Sequence, residues 1–331
     1  MKLGIVGSGT IVQEFLPKLV KLDGVDIIGI MDLPQSYEHV KAMCYENGVK
    51  NAYTDFDQMA DSGIDTVYIA VPNFLHFDYC VQSIKKKLNV IVEKPMTSNY
   101  NEAIFLEKLA HENNCFLFEA ITTLYFENYK KIQQWLPRIG EIKLVQAQYS
   151  QYSRRYDAFR NGQVLPAFDP AKSGGALMDL NLYNMHFVMG LFGQPDEVSY
   201  YANIERGIDT SGILMMKYPS FFSSCVAAKD SKGWQGCIIQ GVDGCIKCEY
   251  PANFVGKVTL ELYDGTVEEY DDKGYTERLI PEFTSFMKAI NNGDYDFCYN
   301  KLTSSVNVTK VQTLAREKAH IIFDADKKKL G

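Results

Sequence analysis

The sequence predicts an α/β protein of two domains, an N-terminal doubly wound parallel sheet followed by a C-terminal α/β domain with a mostly antiparallel or mixed sheet. Three observations predict this class. The chain has 331 residues, which is more than one ordinary hydrophobic core accommodates. Apolar strands alternate with helical patterns in its first third, and closely spaced strands follow from about residue 140. We therefore predict two domains, 1–122 and 123–331.

The first domain is predicted from near-continuous apolar strands separated by helical patterns. Strands are expected at 2–7, 25–32, 65–72, 90–92 and 115–120, with helices up to Leu22 and at about 36–47, 75–87 and 99–113. Such strands are typical of a parallel sheet that helices cover on both faces. Ligands of these sheets bind at the carboxyl ends of the strands, so site residues are expected there.

The second domain is predicted from strands that follow one another through tight turns. They are expected at 141–153, 196–206, 211–218, 221–229, 234–241, 244–250 and 257–263, with helices at about 124–140, 174–193, 280–293 and 301–320. Several strands alternate apolar and polar residues, as antiparallel strands with one buried face do. Because the helices are too few to cover both faces of the sheet, we expect an exposed apolar face that forms a homo-oligomer interface.

Charge and composition exclude several classes of protein. The formal net charge is −7, and the short basic runs at 85–87 and 327–329 do not amount to a basic face, so we expect no nucleic-acid partner. No stretch approaches the about 18 consecutive apolar residues of a membrane helix, and the N-terminus is typical of a strand and turn rather than a signal segment. We expect no membrane association and a cytoplasmic location.

The eight cysteines are scattered along a long chain, which favours reduced thiols over a disulfide framework. Cys245 and Cys248 form a C-x-x-C pair, but "GCIKCEY" is typical of a strand, where positions three apart face opposite sides. No second pair accompanies them. We therefore expect no metal site.

A glycine turn follows the first predicted strand, in "GIVGSGTIV" (4–12). Gly7 and Gly9 occupy the first two positions of the G-x-G-x-x-G dinucleotide fingerprint, but Val12 occupies the third. Thr10 and Ile11 begin the next helix, where free backbone N–H groups favour a pyrophosphate. The alternative is an ordinary strand–helix turn, and the residue that ends the second strand favours a cofactor site.

Asp32 ends the second predicted strand, 23 residues beyond Gly9. A carboxylate about 20 residues after the glycine turn binds the ribose hydroxyls of NAD. It would repel the 2′-phosphate of NADP, and no Arg follows it. We favour NAD and leave NADP possible, with a strand-end turn residue as the alternative role for Asp32.

Two further strand ends carry polar residues. Pro72 and Asn73 end the third long strand, with His76 expected on the first turn of the next helix, where it is either a ligand contact or a capping or packing residue. "VIVEKPM" (90–96) ends in Glu93, Lys94 and Pro95. An ammonium at this edge can hydrogen-bond a substrate hydroxyl and stabilise its alkoxide during hydride transfer. Glu93 can pair with that ammonium or hold it in position. We expect Pro72, Asn73, His76 and Glu93 to contribute to the cofactor site at this edge.

These motifs resemble the glucose-fructose oxidoreductase/inositol dehydrogenase (Gfo/Idh/MocA) family. The glycine turn, "VPNFLH", Glu93-Lys94-Pro95, "FEAITTLYF" (118–126) and "SGGALMDLNLYNMHF" (173–187) all resemble segments of that family. The resemblance implies a Rossmann domain, an open-faced α/β domain, a substrate held between them, and homodimers or homotetramers.

By that resemblance Lys94 is the catalytic lysine, Asp179 binds substrate and Tyr183 occupies the position of the base. Tyr at that position is typical of the glucose-fructose oxidoreductase and dihydrodiol dehydrogenase-like branch. Asp179, Tyr183 and His186 would share one helix face, with His186 as a reserve base. Asn181 replaces the family's usual Gly, close to the expected substrate pocket.

The sequence thus predicts an NAD(P)-dependent oxidoreductase that transfers hydride between a nicotinamide and a small carbohydrate-like substrate, namely a sugar, a polyol or a related cyclic alcohol. Two alternatives stay open. The first is an NAD-dependent glycosidase, a chemistry also found in the family. The second is a nucleotide-sensing regulator without turnover, which would not need Lys94, Asp179 and Tyr183.

Overall fold

The computed structural model describes residues 1–329, and the chain forms two compact units. The first comprises Met1–Ala120 and Glu282–Val306, and the second Ile121–Pro281 and Asn307–Lys329. The sequence-based division into 1–122 and 123–331 assigned residues 282–306 to the second part, and its last two residues lie outside the described chain. The functional domain boundary stays a prediction.

The first unit is built on a parallel sheet of six strands in the order β3-β2-β1-β4-β5-β6. The strands are β1 (Lys2–Val6), β2 (Asp26–Met31), β3 (Asn51–Tyr53), β4 (Thr66–Ile69), β5 (Asn89–Glu93) and β6 (Leu117–Ala120). The helices between them are α1 (Thr10–Leu19), α2 (Tyr37–Asn47), α3 (Phe56–Ala60), α4 (His76–Lys85) and α5 (Tyr100–Asn113). This confirms the predicted doubly wound parallel sheet.

Helical residues from near the C-terminus complete the core of this unit. Phe283 packs on Phe15 and Tyr68, with ring centroids 4.7 and 5.0 Å apart, and Phe286 stacks on Phe118 at 4.5 Å. The 280–293 helix was predicted, but its packing partner was not. An amphipathic pattern indicates that a helix has an apolar face without identifying the surface that this face covers.

The second unit is built on a sheet of eight strands in the order β14-β13-β12-β11-β7-β10-β9-β8. Its elements are α6 (Glu127–Trp135), β7 (Ile142–Ser150), α7 (Arg154–Arg160), α8 (Leu182–Phe192), β8 (Glu197–Glu205), β9 (Ile208–Lys217), β10 (Phe222–Ala228), β11 (Gln235–Gly241), β12 (Gly244–Cys248), β13 (Val258–Leu262) and β14 (Val267–Tyr270). The chain's last long helices are α9 (Ile280–Asn292) and α10 (Tyr295–Lys318). Strands β7 and β10 pair in parallel and all other neighbours are antiparallel, so the predicted mostly antiparallel sheet is confirmed.

The two faces of this sheet differ in burial. Leu214 and Met216 of β9 are fully buried, whereas Tyr201, Ile213 and Phe222 point to the other face and are exposed. The sheet is therefore open on one side, as predicted. No helix within residues 1–329 combines the length and the apolar character needed to cross a membrane.

Candidate active site

The turn after β1 requires glycine at one position and leaves room at another. Gly7 has φ +105°, and a Cβ there would lie 2.3 Å from the carbonyl oxygen of Ala70. A side chain at Gly7 would therefore clash with the loop after β4. By contrast, a Cβ on Gly9 would have no protein atom within 4 Å. The backbone at Gly9 is thus open to the close approach of a cofactor.

Helix α1 starts directly after this turn. Gly9 is its N-cap residue, and no side chain caps the N–H groups of the first turn, which begins with Thr10 and Ile11. Uncapped N–H groups and the positive end of the helix dipole favour an anion. Val12, at the irregular third position of the fingerprint, is buried in the core. The turn therefore fits a pyrophosphate, although the third glycine is missing.

Asp32 is tied to the same turn. Its Oδ2 accepts hydrogen bonds from the backbone N–H of Ser8 at 2.8 Å and from the Ser8 hydroxyl at 2.5 Å, and its Oδ1 accepts one from the Leu33 N–H at 2.7 Å. The carboxylate is therefore fixed beside the glycine turn. Sequence reasoning missed Ser8, although its place between Gly7 and Gly9 was a usable signal.

The segment after β5 is held by buried polar groups. The Tyr68 hydroxyl donates to Glu93 Oε1 at 2.6 Å, and the Met96 N–H donates to Glu119 Oε1 at 2.9 Å. The Lys94–Pro95 peptide bond between these two anchors is cis. Hydrogen bonds thus hold the residues that flank Lys94 and Pro95, and the expected role of Glu93 in holding the Lys94 ammonium stays a prediction.

His76 contacts the same segment through its imidazole ring. Its ring is fully buried, with Nδ1 2.8 Å from the Pro95 carbonyl oxygen and Nε2 2.9 Å from that of Val71. Burial lowers the pKa of His76, against the opposing effect of the two carbonyl groups. These contacts match the packing alternative for His76, and its contact with a cofactor stays a prediction. Pro72 and Asn73 begin the short turn that leads to it.

Asp179 lies in an irregular helical segment of the second unit. Residues Leu177–Asn181 form a π-helix that continues into α8. The sequence predicted a single helix over 174–193, and a π turn, which often occurs at functional sites, has no simple sequence signature. The α-helical spacing argument therefore applies to Tyr183 and His186, both in α8 and nearly or fully buried, but not directly to Asp179.

Lys229 is the partner of Asp179. Its Nζ lies 2.9 Å from Asp179 Oδ2; the lysine side chain is 2% exposed and the aspartate side chain 34%. The same ammonium donates to the Ala167 carbonyl oxygen at 2.9 Å and lies 4.8 Å from the centre of the Phe168 ring. Sequence reasoning missed Lys229. The available signal was a lysine directly after the apolar strand "FSSCVAA".

A buried carboxylate supports the start of the π segment. Asp209 Oδ2 accepts hydrogen bonds from the Leu177 N–H at 2.6 Å and from the Tyr200 hydroxyl at 2.7 Å. Burial raises the pKa of Asp209, although both hydrogen bonds favour the charged form. A Cβ on Gly175 would lie 2.1 Å from Asp209 Oδ1, so glycine is required where the chain passes this carboxylate.

Asn181, which replaces the family's usual Gly, has a packing role. Its Nδ2 donates to the Cys225 carbonyl oxygen of β10 at 3.0 Å, and its Oδ1 accepts from Asn184 at 2.9 Å. Asn181 is fully buried. It therefore docks the π segment on the sheet instead of offering a polar group to a ligand.

Tyr183 packs against a second tyrosine. Its ring centroid lies 6.1 Å from that of Tyr149, whose hydroxyl donates to Gln151 at 3.0 Å and accepts from Asn253 at 3.3 Å.

Within residues 1–329, no three His, Cys, Asp or Glu side chains are grouped so as to hold a metal ion. Cys245 and Cys248 of β12 differ in burial, as residues on opposite faces do.

Comparisons with known proteins agree over both units. Residues 1–121 match the Gfo/Idh/MocA oxidoreductase family with an NAD-binding Rossmann fold, and residues 129–247 match the Gfo/Idh/MocA C-terminal domain. The scyllo-inositol 2-dehydrogenase (NADP(+)) IolU of Bacillus subtilis is 30% identical over 98% of this chain and 99% of its own length.

Two further similarities are more distant. The trans-1,2-dihydrobenzene-1,2-diol dehydrogenase of Xenopus tropicalis is 27% identical over 66% of this chain and 65% of its own length. The crystal structure of KijD10, a 3-ketoreductase from Actinomadura kijaniata in complex with NADP and TDP-benzene, superimposes with a TM-score of 0.83. That pair is 17% identical, and the match covers 98% of this chain and 99% of the other. This structural likeness shows the fold.

Proposed function

The chain belongs to the Gfo/Idh/MocA family of NAD(P)-binding oxidoreductases, and we propose that it oxidises or reduces one CH–OH carbon of a cyclic polyol or sugar. The observation that carries this proposal lies within one sheet. The open glycine turn follows β1, and Lys94 follows β5, both at the carboxyl edge of the same parallel sheet. An anion site and an ammonium at one edge are what nicotinamide-dependent hydride transfer requires of a protein.

The bound nicotinamide would accept or donate the hydride, and the chain's own residues would handle the proton and the substrate. We assign Lys94 to the reacting oxygen, where its ammonium stabilises the alkoxide. We assign Tyr183 as the group that takes or returns the hydroxyl proton, with His186 as the reserve base. Asp179 orients the substrate by accepting a hydrogen bond from a second hydroxyl.

The proposed cofactor is NAD, with NADP as the competing outcome. The support is Asp32, whose carboxylate Ser8 and Leu33 hold beside the turn and which would repel a 2′-phosphate. The relative IolU is named for NADP(+), so titration of both cofactors is decisive. Asp32→Ala should weaken NAD about tenfold, the loss expected for a hydrogen bond to a charged group, and should improve NADP binding. Strong wild-type preference for NADP would refute the role given to Asp32.

The test of the reaction is a panel of inositols, aldoses and cyclic diols, with NAD and NADP in separate assays. Oxidation should appear as cofactor reduction with at least one cyclic polyol or sugar. An NAD-dependent glycosidase would cleave chromogenic glycosides without net cofactor reduction, and a regulator would bind cofactor without turnover of either class. Either result would overturn the proposal.

We propose that the open face of the eight-stranded sheet forms a homodimer or homotetramer. The support is the apolar surface of Tyr201, Ile213 and Phe222 on that face. Sedimentation should give a dimer or tetramer at micromolar concentration, and Phe222→Glu should shift it towards monomer. Tyr45→Glu, at an exposed tyrosine of the first unit, is the matched control. A wild-type monomer would contradict this proposal.

We also propose a reducing, cytoplasmic environment for this protein. All eight cysteines are free thiols, and seven of them are buried. Thiols that never pair are typical of proteins from reducing compartments. Mass spectrometry of protein from its native cells should show every cysteine reduced, and an oxidised pair would contradict this location.

A further inference from the structure

We propose that Lys229 is a positioning residue, which fixes the Asp179 carboxylate for substrate recognition. This inference rests on the proposed function, because it takes Asp179 as the residue that binds a substrate hydroxyl. Lys229 lies directly after β10, far in sequence from the residues given catalytic roles. It acts through Asp179 and is not assigned any contact with the substrate.

Burial of the Lys229 ammonium is energetically costly. An unpaired charge in the interior of a protein is strongly unfavourable, so a buried lysine must be matched by an acidic group and by hydrogen bonds. Lys229 is 2% exposed, and the Asp179 carboxylate lies within ion-pair distance, at 2.9 Å. The Ala167 carbonyl oxygen and the Phe168 ring complete the surroundings of the ammonium. The lysine therefore has a strong energetic preference for Asp179 in this one orientation.

The Lys229 ammonium is itself held in place. The backbone N–H of Lys229 donates to the Thr210 carbonyl oxygen at 2.8 Å, which fixes the main chain of Lys229 to β9. The Ala167 carbonyl oxygen fixes the other end of the side chain. A cation that is tied at both ends can hold a carboxylate in one rotamer, which a freely moving surface lysine cannot do.

The π segment that carries Asp179 is anchored to the sheet on both sides of that residue. Alternate residues of this segment are anchored to the sheet: the Leu177 N–H binds Asp209, and the Asn181 side chain binds the Cys225 carbonyl oxygen. Lys229 supplies the anchor between them. Of the three anchors, it is the one that acts on the Asp179 side chain and not on the backbone or on a packing residue. Asp179 nevertheless remains 34% exposed, so the carboxylate is held without being enclosed.

The decisive experiment compares Lys229→Met, Lys229→Arg and Asp179→Asn, singly and in the Lys229→Met/Asp179→Asn pair, on the substrate that the wild type prefers. Lys229→Met keeps an apolar stem of similar length in the buried position but removes the charge. We expect kcat/KM to fall about 10- to 100-fold, chiefly through a higher KM, as for a misplaced positioning group. The Kd for NAD(P) should stay unchanged, and Lys229→Arg should restore part of the loss.

Non-additivity distinguishes positioning from a general loss of structure. If Lys229 acts through Asp179, Lys229→Met should add little to the defect of Asp179→Asn. The matched control is Lys327→Met, which breaks an exposed ion pair of 2.8 Å with Asp324 in the same unit. It should leave kcat/KM within about twofold of wild type, since exposed pairs contribute little.

The outcomes test the role of Lys229 and the role of Asp179 separately. Wild-type kcat/KM in Lys229→Met, or fully additive losses in the double variant, overturns the role of Lys229 even when Asp179→Asn is inactive. Wild-type activity in Asp179→Asn instead overturns the proposed role of Asp179. In that case, thermal unfolding of wild type, Lys229→Met, Asp179→Asn and the double variant still tests the ion pair. Additive shifts in Tm would refute energetic coupling between the two side chains. If Lys229→Met does not fold, Lys229→Arg must show the raised KM.

Discussion

Lys94 and Asp179 are supported by their surroundings in different ways. Lys94 lies in the segment after β5 in the first unit, and Asp179 lies in the π segment of the second. Around Lys94, the Glu93 side chain, the Pro95 carbonyl and the Met96 N–H are held by neighbouring buried residues. Around Asp179, the buried ammonium of Lys229 binds the Asp179 side chain itself. The first arrangement fixes where the backbone emerges from the sheet. The second fixes the carboxylate directly.

This difference separates two kinds of specificity. A backbone fixed at the sheet edge places an ammonium beside a reacting oxygen, and this suits a group that acts in the transition state. A carboxylate in a fixed rotamer suits recognition of a hydroxyl in one position. Loss of a supporting residue should therefore change kcat in the first region and KM in the second.

Removal of the lysine is the largest expected effect. Lys94→Ala should lower kcat about 10²–10⁴-fold, the range for a positioned group that assists proton transfer, with little change in the Kd for NAD(P). Steady-state kinetics and cofactor titration measure the two quantities. Lys108→Ala, at an exposed lysine of α5, is the matched control. Near-wild-type kcat in Lys94→Ala would refute the mechanism and favour a regulator.

Tyr183→Phe tests the proton acceptor in the second unit. It keeps the ring that packs on Tyr149 but removes the hydroxyl, so the fold should persist. A decrease of similar order, about 10²–10⁴-fold in kcat, is expected, together with loss of the acidic limb of the pH–rate profile for oxidation, where protonation of the acceptor stops the reaction. Should that limb remain, the proton acceptor is another group, and His186→Gln becomes the variant to measure.

Glu119 tests whether backbone support acts on kcat. Glu119→Leu removes the acceptor for the Met96 N–H and should lower kcat about tenfold through displacement of Lys94, with KM little changed. Glu119→Gln retains an acceptor oxygen and should stay close to wild type. An increase in KM alone would break the proposed contrast between the two regions.

Asp209 gives the smallest expected effect, on stability. Burial raises the pKa of Asp209 above its ordinary value of 3.8, so the folded chain binds this proton more tightly than the unfolded chain. The resulting stability is fully present below about pH 3.8 and is lost as the pH rises through the folded-state pKa. Asn cannot titrate, so Tm should fall less from about pH 4 to pH 7 in Asp209→Asn than in wild type.

Circular dichroism melting at several pH values measures this difference. Asp196→Asn, at an exposed carboxylate in the same unit, should retain the pH dependence of the wild type. Parallel Tm curves for wild type and Asp209→Asn would show that Asp209 is already ionised in the folded protein.

The sequence predicted the first region better than the second for a physical reason. Gly7, Asp32 and Lys94 all follow strands of one parallel sheet, where strand order along the chain indicates a shared edge. Lys229 and Asp209 act on Asp179 and Leu177 through contacts that the sheet creates between distant residues, and no local spacing indicates them. The π segment escaped prediction because its pattern is that of an ordinary helix. The packing role of Asn181 has the same origin: its side chain donates to a carbonyl of β10 that is distant in sequence.

The composition of the first unit has a consequence for how the protein is made. Its core includes Phe283 and Phe286, which leave the ribosome only after the whole of residues 121–281. Until then, Phe15, Tyr68 and Phe118 lack the rings that cover them. The nascent N-terminal part therefore keeps this aromatic surface exposed while the second unit is synthesised. Such exposure favours aggregation or chaperone binding. A fragment that stops at residue 122 would keep this surface permanently, so cofactor-binding studies need the full chain.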